Sequence, residues 1–449
     1  MAKLTFFGGV GEIGGNKVLL EDRGTKVFLD FGKNFEKERL YFDEPFLSPR
    51  DEKHLLALGI LPPIQGLYKK EAGVPGIDAI IISHPHTDHM DYIRYVKDEV
   101  PIYCGETTRT VVLAREFSGR AKSIDYGIAK ITKTERIRIN KSFSTFRTGD
   151  RIGIGSLELE PIHVDHSTPG SYGFIIHTSA GPIAYTGDFR LHGARSEMTQ
   201  EFVERAKKAR PKALIIEGTN IVNARVSSEE EVRAKLNLIV SKTPHLVMAG
   251  FSPVDVDRLR TFYSVAIENG RKLAISMKQA VLVGLLQEDK RIELFSLDDP
   301  NILVFRREKK TESEWEKLVP QTPITATDVM EMQDELILVA SFYDMNEAIE
   351  INPGAGSVYI LSESEPFNEE METDFEKLLN WLEHLGIPLY NIHASGHANP
   401  HELKWVIGEI RPEKAYLIHT DRPFLYQRFL QDLGIREIVC PELGREYHL

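Results

Sequence analysis

Through the first 220 residues apolar and polar positions alternate over short stretches. LTFFGG, KVLLED, TKVFLDFG, DAIIISH and VPIYCG predict strands broken by Gly and Asp turn positions. SLELEPIHV, GSYGFIIHT and GPIAYTGDF continue the pattern, with Ser179-Ala180-Gly181 as a hairpin tip. Helical spacing appears in TTRTVVLAREFS and in EMTQEFVERAKKA, which leads into strand KALIIEG. From about Asn223 the texture changes to helix alternating with strand. Ser227-Ser228-Glu229-Glu230 reads as a capping box at the head of EEEVRAKLNLIV. LVMAG, VDVDRLRTFYSVAIE, KLAIS and a further helix follow, which predicts a parallel α/β unit through about Leu385. The longest apolar run, LAISMKQAVLVGLL from Leu273, is interrupted by Lys278 and Gln279 and reads as a buried helix, not a membrane span. From NIHASGH onward short strands and helices return. The pattern is a β-rich domain, an inserted α/β domain, and a return to the first.

The chain has 449 residues, 42% hydrophobic and 27% charged, the composition of a soluble globular protein. Cys104 and Cys440 form no CxxC pair, against both a disulfide framework and a thiolate zinc site. The apolar patch before Glu12 is too short for a secretory leader, so a cytoplasmic location is expected. A net charge of −12 has the wrong sign for coating nucleic acid non-specifically. A basic cluster nevertheless runs through Lys130, Lys133, Arg136, Arg138, Lys141, Arg147 and Arg151. It fits either a solvated β-rich face or a local basic channel.

Among motifs, GVGEIG at Gly9–Gly14 has the G-x-G-x-x-G spacing, with Asp30 lying 21 residues beyond Gly9. A phosphate cradle needs a helix to start in the glycine run. Here the glycines lead into two alternating strands joined by Asp22-Arg23-Gly24, so the dinucleotide reading fails. The stronger motif is SHPHTDHMD, which places His84, His86, Asp88 and His89 at the end of strand DAIIIS. Imidazole and carboxylate are ligands that Zn²⁺ accepts. His84 with His86 could hold one ion, and Asp88 with His89 a second beyond the turn.

Further ligands stand in similar settings. His166 follows strand SLELEPIHV, and Asp188, a candidate bridging carboxylate, follows GPIAY. Asp30 ends strand KVFLD and reads as an acceptor that orients a ligand histidine, or as a turn residue. His163 reads as a strand histidine. HASGH, His393 to His397, offers turn amides and imidazoles to a phosphate, or is a structural turn. His419 follows strand AYLI, and the other histidines, His192 among them, read as bland.

HxHxDH preceded by a strand-end Asp, with His166 and Asp188 spaced 22 apart, resembles the metallo-β-lactamase superfamily of αββα hydrolases. Glu217, the HASGH block and His419 resemble motifs A, B and C of its β-CASP nucleic-acid branch. FFGGVGEIGGNKVLLE and HASGHA look most like the ribonuclease J family in its compact archaeal form. The resemblance implies an α/β fold, an αββα metallo-β-lactamase sandwich with an inserted parallel α/β β-CASP domain. Residues 1–220 and 386–449 would form the sandwich and 221–385 the insert. It implies two Zn²⁺, with Mn²⁺ or Mg²⁺ as alternatives. His84, His86, His166 and Asp188 would hold one ion, and Asp88, His89, Asp188 and His419 the other. It assigns catalysis to Asp88, Asp188, Glu217 and His397, the last assisting the leaving group. Substrate contacts would come from His393, Ala394, Ser395, Gly396, His397 and Ser252. The chain departs from the family at motif A, where Glu217 replaces the commoner Asp. It also carries ASFYDMNE at Ala340–Glu347 where bacterial members have a glycine-rich turn.

The implied activity is 5′-to-3′ exonucleolytic hydrolysis of single-stranded RNA bearing a 5′-monophosphate, in RNA processing and decay. Endonucleolytic cleavage uses the same metals and stays open, as do RNA against DNA and dimerisation. A small-molecule lactonase or thioesterase of the same superfamily is the main rival, but does not require the insertion, HASGH and His419. A non-catalytic RNA-binding subunit would have lost metal ligands that this chain keeps. No membrane partner is expected.

Overall fold

The computed structural model describes residues 2–43, 46–118, 143–222, 224, 227–313, 315–363 and 369–449. Lys130, Lys133, Arg136, Arg138 and Lys141 of the basic cluster lie outside the described residues. The two described members are paired with acids: Arg147 with Glu106 and Asp289, Arg151 with Glu158.

Two seven-stranded sheets face each other. In the first, strands Lys3–Gly8, Lys17–Asp22 and Thr25–Leu29 run antiparallel, flanked by the C-terminal strand Glu446–His448. Ala79–Ile81, Ile102–Gly105 and Phe143–Phe146 then add parallel to Thr25–Leu29. The second sheet runs from Ile152–Ile154 through Leu157–His163, Tyr172–Thr178, Gly181–Tyr185, Ala213–Ile216 and Lys414–Leu417 to Glu437–Val439. Inward-facing Leu4, Phe6, Leu20 and Ile81 pack against Phe174, Ile176, Ile183 and Ile215 between the sheets. The opposite faces are also apolar. Ile80 and Ile102 bury against Tyr68 and Tyr92, and Leu214 and Ile216 against Phe202, Val203 and Ile407. The last three lie on helices Ser196–Ala209 and Pro400–Ile410. Strands covered on both faces read as continuous apolar runs such as AIII and ALII, which explains why alternation fades there.

A third sheet of six strands is parallel throughout, in the order Ile302–Phe305, Lys272–Ser276, Leu336–Val339, Val247–Gly250, Val358–Leu361, Leu389–Asn391. Helices Glu229–Val240, Val256–Glu268 and Met277–Leu286 bury Leu236, Phe262 and Val283 against one face. Met345–Ile351 and Glu369–Leu385 cover the other. The last strand of this sheet lies beyond the expected limit at 385, because Ile360 and Leu361 pair with Tyr390 and Asn391. The apolar run from Leu273 is not one helix. Its first four residues are strand, and the Ser276 hydroxyl and Gln279 side chain cap each other's backbone to start the helix at Met277. At the expected capping box, Ser228 caps Glu229–Val240 by accepting from Glu231 N. Among the described residues no helix is long and apolar enough to cross a membrane.

The site-forming consequence of this topology is a parallel register. Ile216 pairs with Leu417, so Glu217 and His419, distant in sequence, emerge at the same end of one sheet.

Candidate active site

Strand Ala79–Ile81 delivers His84 into the interior, and His86 is the extended residue preceding the short helix Thr87–Met90, which carries Asp88 and His89. His84 Nε2 and His86 Nδ1 lie 3.1 Å apart, and His166 Nε2 lies 3.2 Å from the same His86 nitrogen. Asp188 Oδ2 is 3.5 Å from His84 Nε2. Burial, foremost, pushes the His84 and His166 imidazoles well below their usual pKa and His86 down to about 4. They are therefore neutral rings whose lone pairs can converge. A tetrahedral ion with Zn–N bonds of 2.0–2.1 Å spaces its ligand atoms by roughly 3.3 Å. Donor set and spacing both fit a divalent metal.

Asp88, His89 and His419 form a second group beside the first. His419 Nε2 is 3.1 Å from Asp88 Oδ2 and 3.6 Å from Asp188 Oδ2, while His89 Nε2 is 3.1 Å from Asp188 Oδ2. Asp188 thus presents one oxygen to both groups. Burial opposes ionisation of both carboxyls, but facing imidazoles outweigh it and hold Asp88 and Asp188 well below the usual carboxylate range.

The far nitrogen of each of four ligand rings is held in place, which fixes ring orientation. Buried Asp30, in the left-handed region at φ 58°, accepts a hydrogen bond from His89 Nδ1 at 2.7 Å. The same carboxylate accepts from Ser83 N and Ser83 Oγ at 2.7 Å and from Tyr185 Oη at 2.5 Å. Ser83 Oγ also lies 3.0 Å from His84 Nδ1. His166 Nδ1 donates to Gly396 O, and His419 Nδ1 meets Thr219 Oγ1 at 2.8 Å.

His397 joins the edge of the cluster, with Nδ1 3.0 Å from Glu217 Oε2 and 3.7 Å from Asp188 Oδ2. Burial lowers its pKa, but Glu217 and then Asp188 overcome this and raise it to about 9. Glu217 is itself fixed, accepting from Phe189 N and Thr219 N at 3.2 Å. The HASGH turn is bound from several sides. His192 Nε2 donates to Ser395 O at 2.9 Å, and its Nδ1 faces Glu402 Oε2 at 2.9 Å. Asn220 Nδ2 donates to Ser395 Oγ at 2.8 Å and to His397 O at 2.9 Å. A Cβ on Gly396 would lie 2.7 Å from Ser167 Oγ and 3.0 Å from His166 Cε1, so only glycine fits beside that ligand.

The remaining candidates fall in varied settings. His192 is not bland but a support of HASGH. His393 does not stand with His397. It faces Ser362 O at 3.3 Å, and burial lowers its pKa to about 4. Ala394 is packed in the core of the third sheet, and Ser252 is exposed at the end of strand Val247–Gly250. His163 stays out of the metal groups, its ring 4.1 Å from that of Tyr172. Thr219, Asn220, Tyr185 and Arg190, whose Nη1 donates to Ser395 O at 3.3 Å, were missed. Their only sequence signal was position two or three residues from Glu217 or Asp188.

Residues 59–226 match the model of the beta-lactamase superfamily domain. The candidate metal-ligating histidines and Asp188 all fall within the matched span, except His419, which follows the strand Lys414–Leu417 of the second sheet. The chain is 24% identical to the ribonuclease J of Mycolicibacterium smegmatis, over 93% of this chain and 68% of that one. It is 23% identical to that of Thermus thermophilus, over 81% of this chain and 63% of the relative. With the ribonuclease J of Mycoplasma genitalium it shares 23% identity, over 96% and 70%. The fold is also that of a protein of unknown function from Enterococcus faecalis, with a TM-score of 0.78, 24% identity and full coverage of both chains.

Proposed function

We propose that the chain is a ribonuclease J-like phosphodiesterase using two zinc ions, acting 5′-to-3′ on single-stranded RNA with a 5′-monophosphate. In this reading residues 1–220 and 386–449 form the metallo-β-lactamase domain and 221–385 the bulk of a β-CASP domain. The observation that carries it is Asp188 Oδ2, lying within 3.7 Å of ligand atoms of both metal groups and of His397. A small-molecule hydrolase needs the first two of these and not the third. Similarity to ribonuclease J sequences over most of the chain supports RNA as the substrate.

Divalent ions at such paired positions supply a water of lowered pKa and neutralise charge on a phosphoryl group. The seven candidate ligands His84, His86, Asp88, His89, His166, Asp188 and His419 would hold them. Asp30, Gly396 O and Thr219 keep three ligand rings aimed inward, so no reorganisation is needed when substrate enters. Glu217 occupies Nδ1 of His397 and leaves Nε2 to donate a proton to the departing 3′-oxygen.

The test is cleavage of one labelled RNA with a 5′-monophosphate, a 5′-hydroxyl or a 5′-triphosphate. Release of labelled mononucleotide from the first, with the others slow, is the expected result. Internal fragments from all three would make the enzyme an endoribonuclease. No cleavage by metal-loaded protein would overturn the nuclease reading in favour of a small-molecule hydrolase.

A further inference from the structure

The glycine loop that imitates a dinucleotide fingerprint is closed around the second metal group. Asn16 N donates to Asp88 O at 3.0 Å, and His419 N donates to Gly9 O at 2.8 Å. The Asn16 side chain is fully buried, with Nδ2 3.1 Å from His89 Nε2. Its Oδ1 is buried with no hydrogen-bond partner among the described residues, which is costly for an amide oxygen. Gly9 makes the space: a Cβ there would lie 2.2 Å from Asn16 Oδ1.

His89 Nδ1 faces the Asp30 carboxylate at 2.7 Å, which leaves the Nε2 lone pair as the one that a metal in the group with Asp88 and His419 would take. A metal there takes up that lone pair and leaves the Asn16 N–H without an acceptor. A half-turn about the Cβ–Cγ bond exchanges the two amide atoms. It brings Oδ1 to the 3.1 Å spacing from His89 Nε2, which matches neighbouring ligands on an ion with bonds of about 2.1 Å. We propose that Asn16 contributes its amide oxygen as a further ligand to the ion held by Asp88, His89 and His419. A neutral oxygen raises the coordination number of that ion without adding charge beside two carboxylates. It makes the two positions chemically unequal, one being rich in imidazole and the other in oxygen. The inference rests on the two-metal reading and is independent of the substrate.

The experiment is titration of the metal-depleted full chain with Co²⁺, followed by visible absorption and by metal analysis of the desalted protein. Wild type, Asn16→Ala and Asn16→Asp are compared. Wild type should take up two ions. Asn16→Ala should keep one and bind the other about tenfold or more weakly, with stronger Co²⁺ absorption as the coordination number falls. Asn16→Asp, which is isosteric and keeps an oxygen, should bind the second ion at least as tightly as wild type. Unchanged affinity and spectrum in Asn16→Ala overturns the proposal. So does an Asn16→Asp variant weakened as much as Asn16→Ala, since a carboxylate cannot donate an N–H and the residue would then be a donor. Retention of the first ion by each variant is the control for folding. A wild-type chain that takes up only one ion overturns the two-metal reading and this inference with it.

Discussion

Imidazoles and carboxylates meet in one buried space, the rings of His84, His86 and His166 held neutral by burial and that of His397 held charged by Glu217 and Asp188. His86 Nδ1 stands 3.1 and 3.2 Å from two other imidazole nitrogens, a spacing that also suits neighbouring ligands on one cation. His86→Ala and Asp188→Ala should therefore abolish hydrolysis and lower metal content, leaving the circular dichroism spectrum near wild type. Near-normal turnover in metal-verified preparations of either would remove them from the site. Glu217 acts one step back, through His397. Glu217→Gln should lower turnover by about 10–100-fold, the range for groups that orient reacting residues, while two ions stay bound. Unchanged turnover would separate Glu217 from catalysis. At this scale HxHxDH was legible because a strand end and a single helical turn carry all four side chains. His192 and Asn220 were not, because their partners Ser395 and His397 are more than 170 residues away in the chain.

Elements position the site by how closely their backbones approach. Gly32 follows strand Thr25–Leu29 and packs on the helix Thr87–Met90, where a Cβ would lie 1.6 Å from Asp88 O. Gly32→Ala must push that helix away. It should cost about 1–3 kcal/mol, as overpacking does, and weaken the ion held by Asp88 and His89. A urea melt with parallel metal titration checks both, and a loss of stability with unchanged metal affinity would show that the helix does not depend on this contact. The strand and helix patterns of these elements were readable from periodicity. The break at Ser276 inside the apolar run from Leu273 was not, because strand and helix faces are both covered there and periodicity vanishes.

Across the whole molecule, buried charges join the third sheet's helices to the two facing sheets. Fully buried Arg190, two residues beyond Asp188, pairs with Asp165, Glu229 and Asp257 at 2.9–3.1 Å. Glu229 Oε1 also accepts from Arg258 Nη2 at 2.9 Å. Removing one partner of such a network leaves buried charge without compensation. Glu229→Gln should accordingly destabilise by about 3–5 kcal/mol, seen as a lower denaturation midpoint, and a midpoint within error of wild type would show the network to be dispensable. Metal removal acts at the same scale, since the candidate ligands come from both facing sheets and span the chain from His84 to His419. A chelator should lower the thermal midpoint, by an amount equivalent to about 2.7 kcal/mol when metal stands at 100 times its Kd. An unchanged midpoint would mean that bound metal does not hold these segments together.

By itself the sequence determined what depends on local order: strand and helix periodicities, the hairpin at Arg23-Gly24, the HxHxDH cluster, and the absence of a helix after the glycine loop. It also marked Asp30, His166, Asp188 and His419 as candidates, since each closes or follows a predicted strand, while Glu217 and HASGH stood out through their resemblance to family motifs. Only the tertiary structure decided which of them meet. The parallel pairing of Ile216 with Leu417 sets Glu217 beside His419, and the HASGH turn sends His397 to Glu217 but His393 to Ser362. It also revealed the buried amide of Asn16 beside His89. The physical reason is that ligand geometry and hydrogen-bond partners are set by distances between segments. Periodicity constrains only which face of its own strand or helix a residue takes.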